Sequence, residues 1–322
     1  MSRAAPAHAI VRENASARPR QTSGRAPPRG VPCSAADPRR VDPPALPMPA
    51  RRKLRARQRL GKYRIEAHLA NGGFAEIYRA YDTIEGIQVA LKIPQEAEVS
   101  PSVLQDLERE VRLTAKLDHP NVLPVKDASM IDGTFTIVSP LGKGTLQERL
   151  RHRISTKKAI DFVEQVLAGV AHAHGRRVMH CDIKPENFIL FEGDRLRLSD
   201  FGIARVALRT MNASGSGTVG YMAPEQAMGR PSFRSDVFST GLTLYRVLGG
   251  QLPTWPFEWP AQGLERVQKK AHPDLVALIR RALQVSPKKR WPDVQAMHAA
   301  YERMRRRVHA YASGDTARRK KA

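Results

Sequence analysis

The sequence predicts an α+β fold: a small antiparallel β-sheet with one helix, then a larger, mainly helical part. Three observations predict it. Residues 63–93 alternate apolar and polar in short runs separated by turn-forming residues. From residue 159 onward the apolar residues recur at helical spacing instead. Strands gather first and helices after, the order of a segregated α+β chain rather than a repeating βαβ one.

The elements follow in order. Runs at 63–70, 76–81 and 88–93 read as three strands, with 83–86 as a turn. Residues 102–117 read as a helix with Val103, Leu107, Val111, Thr114 and Leu117 on one face. Residues 122–125 and 135–138 read as two more strands, parted by the turn Asp132-Gly133. The helix at 159–174 carries Ile160, Val163, Val166, Leu167 and Val170 on a helical period and reads as core. Residues 236–248 are apolar almost all round, as a buried helix should be. Helices at 273–283 and 292–307 begin with Pro in the first turn, where its missing N–H costs nothing. The short Pro-rich stretch with Trp255, Phe257 and Trp259 reads as packed lid residues rather than a docking patch.

Charge is unevenly spread. The 322 residues hold 54 Lys and Arg against 31 Asp and Glu, a formal charge of +23. Residues 1–59 carry thirteen Arg and one Lys against Glu13, Asp37 and Asp42. Residues 302–322 carry eight basic and two acidic side chains. Basic charge in the tails suits weak binding of anionic surfaces, and no zinc spacing or nucleic-acid motif accompanies it. The first fifty residues are dense in Pro, Ala and Arg and cannot bury enough apolar surface to offset ordering, so disorder is expected. Three readings of that stretch stay open: a basic arm, a transit peptide, or a translation start at Met48, which is preferred. No apolar run approaches the roughly 20 residues that cross a bilayer, and Cys33 and Cys181 make no disulfide framework. These features point to a cytoplasmic protein. The expected division is 1–59 as a disordered segment, 60–310 as the folded domain and 311–322 as a tail.

The chemistry is concentrated in His180-Cys181-Asp182-Ile183-Lys184-Pro185-Glu186-Asn187 and, thirteen residues on, Asp200-Phe201-Gly202. Two carboxylates, a Lys and an Asn are spaced as phosphoryl transfer from a metal nucleotide requires. Asp182 can accept the proton of an attacking hydroxyl, Lys184 can neutralise the moving phosphoryl group, and Asn187 and Asp200 can hold Mg²⁺. Here the chain resembles the protein kinase family, in its bacterial, eukaryotic-like Ser/Thr branch. The catalytic loop matches H-R-D-x-x-x-x-N with Cys181 in place of Arg, and D-F-G matches unchanged.

The resemblance implies a two-lobed protein kinase fold, with the sheet and one helix as N-lobe (60–138), a hinge (139–142) and a larger helical C-lobe (143–310). Val89-Ala90-Leu91-Lys92 is similar to V-A-I-K, so Lys92 would hold nucleotide phosphates and pair with a helix Glu. Glu110, nine residues before His119-Pro120-Asn121, fits that role better than Glu108. The Gly-rich loop departs from the pattern: Ala70 and Ala75 replace its first and third glycines, leaving Gly72 and Gly73. By resemblance Ala70, Asn71, Gly72, Gly73, Ile77 and Ala90 cover ATP, Val138 closes the back of the adenine pocket, and the backbones of Ser139 and Leu141 meet adenine. Ala223-Pro224-Glu225 is similar to A-P-E, with Arg290 as partner to the Glu and Asp236 supporting the catalytic loop. Lys184 and Thr218 resemble the Ser/Thr-directed branch, so protein Ser/Thr hydroxyls are the implied acceptors and ATP and Mg²⁺ the implied cofactors. Without the Arg at 181, a phosphate on Thr210, Ser214 or Ser216 loses its usual grip, so little dependence on loop phosphorylation is expected. Cys181 reads as a plain small-residue replacement, with a redox-sensitive thiol as the lesser reading. The alternative for the whole chain is a nucleotide-binding scaffold that no longer transfers phosphate.

Overall fold

The computed structural model describes residues 53–71, 75–95, 101–201, 220–254 and 256–314, without the side chains at 101–103, 106 and 110. The Gly-rich loop tip and residues 1–52, 202–219 and 315–322 lie outside the described residues, and with them the expectations for residues 1–52, Thr218 and the three activation-segment hydroxyls. The expected tail boundary at 311 is too early: the last helix runs to Ala312, and the Tyr311 hydroxyl donates to Gln268 O at 3.1 Å.

The upper lobe is a six-stranded antiparallel sheet in the order β1-β2-β3-β4-β6-β5. Its strands are β1 (Arg59–Leu60), β2 (Tyr63–Asn71), β3 (Ala75–Asp82), β4 (Ile87–Pro94), β5 (Asp127–Ile131) and β6 (Thr134–Pro140). Alternation puts Tyr63, Ile65, Tyr78, Val89, Leu91 and Val138 into one buried cluster, each worth roughly 1.5–3 kcal/mol of burial. The turn at 83–86 forms because Asp82 Oδ1 accepts the N–H groups of Ile84 and Glu85 at 3.0 and 3.1 Å. Helix α1 (Pro101–Thr114) presses Leu107 onto Phe135 beside the sheet. Folded structure begins earlier than residue 60. Leu54 is buried and donates its N–H to the Tyr78 hydroxyl at 3.2 Å, so the apolar cluster recruits the end of the basic segment.

One strand lies elsewhere than its sequence suggests. Residues 122–125 do not join the upper sheet; β5 begins at Asp127. Leu123 donates its N–H to Leu198 O at 2.9 Å, and Pro124 has no N–H to give a ladder. The backbone of that segment therefore turns to the lower lobe.

The lower lobe begins with a small sheet of β7 (Gly144–Thr145), β8 (Phe188–Phe191) and β9 (Arg195–Leu198) and the short helix α2 (Leu146–Arg149). Its axis is α3 (Thr156–Gly175), started by Ser155 Oγ accepting from Lys158 N at 3.1 Å. Gly169 of α3 permits close approach, since a Cβ there would lie 2.6 Å from Asn121 O. After α4 (Pro224–Ala227), helix α5 (Phe233–Gly249) buries fourteen of its seventeen residues, which confirms that its apolar circumference is core. Helices α6 (Leu264–Lys270), α7 (Pro273–Ala282) and α8 (Val294–Ala312) complete the lobe. The sequence gives little sign of α6, because four of its seven residues are charged; packing of Leu264 and Val267 on the core makes it a helix. Phe257 and Trp259 pack against the same core as expected, and Trp255 lies outside the described residues.

A buried bidentate pair locks α4 to the far end of the chain. Arg290 Nη1 and Nη2 donate to Glu225 Oε1 and Oε2 at 2.7 and 3.0 Å. The same guanidinium reaches the carbonyls of Gln284, Arg234 and Val285, so its donors are met although the side chain is buried. Burial alone would raise the Glu225 carboxyl; the bonds from Arg290 and Ser235 outweigh it and hold the group below its ordinary range.

Candidate active site

The cleft between the lobes gathers residues from four places. β4 carries Lys92 into it, and cross-strand pairing sets Ile77 and Ile137 opposite Lys92 and Ser139 opposite Ala90. Opposed residues share a face, so Ile77, Ala90, Lys92, Ile137 and Ser139 face one way and Leu91 and Val138 the other. Val138 therefore does not close the back of the pocket. It is fully buried in the upper cluster with Leu91 and Val89. Ser139 stands where Val138 was expected, lining a cavity with Lys92, Ile137, Leu107, Asp200 and Phe201. A one-residue shift of register exchanges the faces of a strand, and the run Ile137-Val138-Ser139 gives no local sign of which parity holds. Ala70 and Asn71 lie at the exposed end of β2, opposite Ile77 and Glu76. Leu141 follows β6 and is half-buried.

The catalytic loop follows α3. Lys184 Nζ lies 2.8 Å from Asp182 Oδ2. A single 3₁₀ turn, Pro185–Asn187, folds Asn187 back so that its Nδ2 donates to the backbone oxygen and to Oδ2 of Asp182, at 2.7 and 2.9 Å. Asn187 O in turn accepts the N–H and the hydroxyl of Ser199 at 2.8 and 3.1 Å. This stitches the loop to the strand that delivers Asp200. The His180 ring spans the same gap, with Nδ1 accepting from Asp182 N at 3.2 Å and Nε2 on Ser199 O at 2.7 Å. Those partners fix the ring as the Nε2–H tautomer.

Two residues of the site hold left-handed backbone without being glycine: Cys181 at φ 66° and Asp200 at φ 63°. Such strain costs on the order of 1 kcal/mol or more and persists only where neighbours impose it. Asp236 imposes it at Cys181. Its carboxylate accepts the N–H of His180 on Oδ2 and of Cys181 on Oδ1, both at 2.8 Å. His174 Nε2 lies 3.0 Å from Oδ2, and its Nδ1 accepts Val294 N at 3.0 Å, tying α8 to the same carboxylate. Burial raises the Asp236 carboxyl, but His174, His180 and the backbone donors prevail and hold it below its ordinary range. The Cys181 carbonyl takes Gln226 Nε2 at 2.6 Å. His180 stood in the motif without a role, and His174, Ser199 and Gln226 gave no signal in the sequence, because the partners of each lie away from it along the chain.

Lys92 and Asp200 form a direct ion pair. Burial pushes the Asp200 carboxyl up; Lys92 foremost, with His180 and Lys184, pulls it below its usual range, so it is ionised at neutral pH. The side chain of Glu110, the expected partner of Lys92, lies outside the described residues, as do Gly72 and Gly73. Asp182, Lys184, Asn187, Lys92 and Asp200 converge on one cleft. Among them are a proton acceptor, two cations and oxygen donors of the hard type that Mg²⁺ prefers.

A family model described as the protein kinase domain matches residues 63–302. The chain belongs to this family. It is 32% identical over 201 residues to the serine/threonine-protein kinase PrkC of Bacillus subtilis, covering 60% of this chain and 31% of PrkC. It is 34% identical over 206 residues to the serine/threonine-protein kinase PknA of Mycobacterium tuberculosis, covering 60% of this chain and 48% of PknA. The chain thus spans about a third to a half of the length of these two relatives. The crystal structure of the PknI kinase domain of Mycobacterium tuberculosis superposes with a TM-score of 0.62 at 23% identity, over 78% of this chain and 99% of that one. That likeness establishes the two-lobed kinase fold. Among the described residues no helix is long and apolar enough to cross a membrane.

Proposed function

We propose that the chain is an ATP- and Mg²⁺-dependent protein kinase acting on Ser and Thr hydroxyls of cytoplasmic proteins. The observation that carries this reading is the posture of Asp182. Asn187 Nδ2 and Lys184 Nζ both hold the same carboxylate oxygen, Oδ2, so the acceptor is fixed in place before any substrate arrives.

In the reaction the acceptor oxygen bonds to the γ-phosphorus, the bond to the ADP oxygen breaks, and the hydroxyl proton passes to Asp182. Lys184 offsets negative charge on the transferred group. Lys92, released from Asp200, neutralises nucleotide phosphate. Asn187 Oδ1 has no hydrogen-bond partner among the described residues; it and the Asp200 carboxylate would hold Mg²⁺. When bound, the metal neutralises the phosphate oxygens. Ile77, Ala90 and the chain from Ser139 to Leu141 would enclose adenine, with Gly72 and Gly73 above the phosphates and Thr218 positioning the acceptor. The order of the chemistry from Lys92 to Asp200 supports an active kinase over a scaffold, since every chemical group is retained.

The test is transfer itself. The full chain, labelled ATP, Mg²⁺ and casein should give phosphoserine and phosphothreonine on casein. Tight nucleotide binding without transfer, unchanged by Asp182→Asn, would support the scaffold instead.

A further inference from the structure

The positive charge of the folded domain is gathered at one end. Residues 60–263 hold 24 basic and 23 acidic side chains, whereas residues 264–307 hold twelve basic and four acidic. Within that end, α7 and α8 enclose a groove far from the chemistry of the cleft. Its apolar surface comes from Ala277 of α7, Met304 of α8 and Trp291, over a floor of buried Leu278 and Ala300. Its rim is Arg281, Arg303 and Arg307, with Asp274 the one carboxylate.

The rim charges are unequally satisfied. Arg307 donates to Asp274 at 2.6 Å, and the neighbouring Arg305 to Glu164 at 2.8 Å. Arg281 and Arg303, both exposed, form no ion pair among the described residues. Arg281 instead lies over the Trp291 ring, 3.8 Å from its centroid, which holds the guanidinium at the groove edge with its planar fork available. Arg281 ends α7, where a cation suits the helix dipole. Arg303 is mid-helix and has no such reason to be there.

We propose that this groove docks an acidic polypeptide segment of another protein, with an apolar side chain against Ala277 and Met304 and carboxylates on Arg281 and Arg303. The chain's own tails are excluded by sign, because residues 1–52 hold ten basic and three acidic side chains and residues 315–322 four basic and one acidic. The apolar bed favours a peptide over nucleic acid, whose phosphates need cations but no such bed. The surface lies outside the phosphoryl-transfer site and stands whether or not that reading holds.

The test uses the full chain and a fluorescein-labelled synthetic helical peptide of Glu with Leu on one face, followed by anisotropy at low salt. Arg281→Glu with Arg303→Glu should weaken binding about tenfold or more. Lys288→Glu with Lys289→Glu, an equal charge change outside the groove, should weaken it by no more than roughly threefold. Replacing Leu by Ser in the peptide, against the unaltered protein, should cost about tenfold. The proposal is overturned if both double reversals weaken binding alike, if the Ser peptide binds as well as the Leu peptide, or if neither peptide binds. It is also overturned if duplex DNA displaces the peptide and itself depends on Arg281 and Arg303. The circular dichroism spectrum should stay native and casein phosphorylation should be unchanged in both double variants.

Discussion

Replacing Asp236 by Asn probes the support beneath the catalytic loop. The native carboxylate accepts two main-chain N–H groups and faces the His174 ring, all within 3.0 Å. His180 and Cys181 are buried, so neither N–H can turn to water. Asn keeps the shape and one acceptor oxygen but turns an NH₂ toward one of those N–H groups. Each unmet buried donor costs about 1–3 kcal/mol, and a bond to a charged acceptor is worth about 1.5–3. The expected loss is about 2–4 kcal/mol, large against a domain stability of roughly 5–15. Cys181 would also be freed from its left-handed backbone, moving Asp182 beside it. Urea unfolding should show the fall in midpoint, and kcat for casein should fall by about tenfold or more while the nucleotide Kd changes little. The sign with pH follows from the depressed carboxyl. Its contribution is fully present above the unfolded value of about 4 and is lost as pH falls through the lower folded value. The stability gap between wild type and variant should therefore close in acid. A midpoint and kcat both equal to wild type at pH 7 would refute the reasoning.

Other predictions test other joints of the structure. Arg290→Met leaves Glu225 without its bidentate partner and should cost about 3–5 kcal/mol by thermal or urea unfolding; Arg290→Lys should recover little, because an ammonium cannot reproduce the fork. Val138→Ala should cost about 2 kcal/mol of stability with KM for ATP unchanged, whereas Ser139→Phe should alter KM for ATP with little loss of stability; the opposite pattern would return Val138 to the pocket. Changing Thr210, Ser214 and Ser216 together to Ala should leave most activity, since Cys181 offers no charge to grip a phosphate; a hundredfold loss, about 3 kcal/mol of barrier, would show that loop phosphorylation is the switch.

The catalytic loop was legible because its chemistry is written in side-chain identity at short spacing. Asp182, Lys184, Asn187 and Asp200 come together as their order implies. Asp236 and Arg290 were also legible, although each acts across more than fifty residues. What the sequence hid depends on parity and on distant backbone. Whether Val138 or Ser139 faces the cleft is decided by where β6 meets β4, and either choice leaves an apolar strand. Residues 122–125 look like a strand, yet Pro124 and the bond to Leu198 send them elsewhere. Helix α6 is too short and too charged to show a period. His174 gives no local sign that it holds Asp236 and α8 at once.

The central claim is that Asp182 takes the acceptor proton while Asp200 serves the metal nucleotide. The most direct measurement is casein phosphorylation and Mg²⁺-dependent ATP binding in parallel for Asp182→Asn and Asp200→Asn. The account predicts that Asp182→Asn abolishes transfer and keeps ATP binding, because it removes a proton acceptor and no phosphate contact. Asp200→Asn should lose transfer and Mg²⁺-dependent affinity together. Wild-type turnover in both variants would contradict the account.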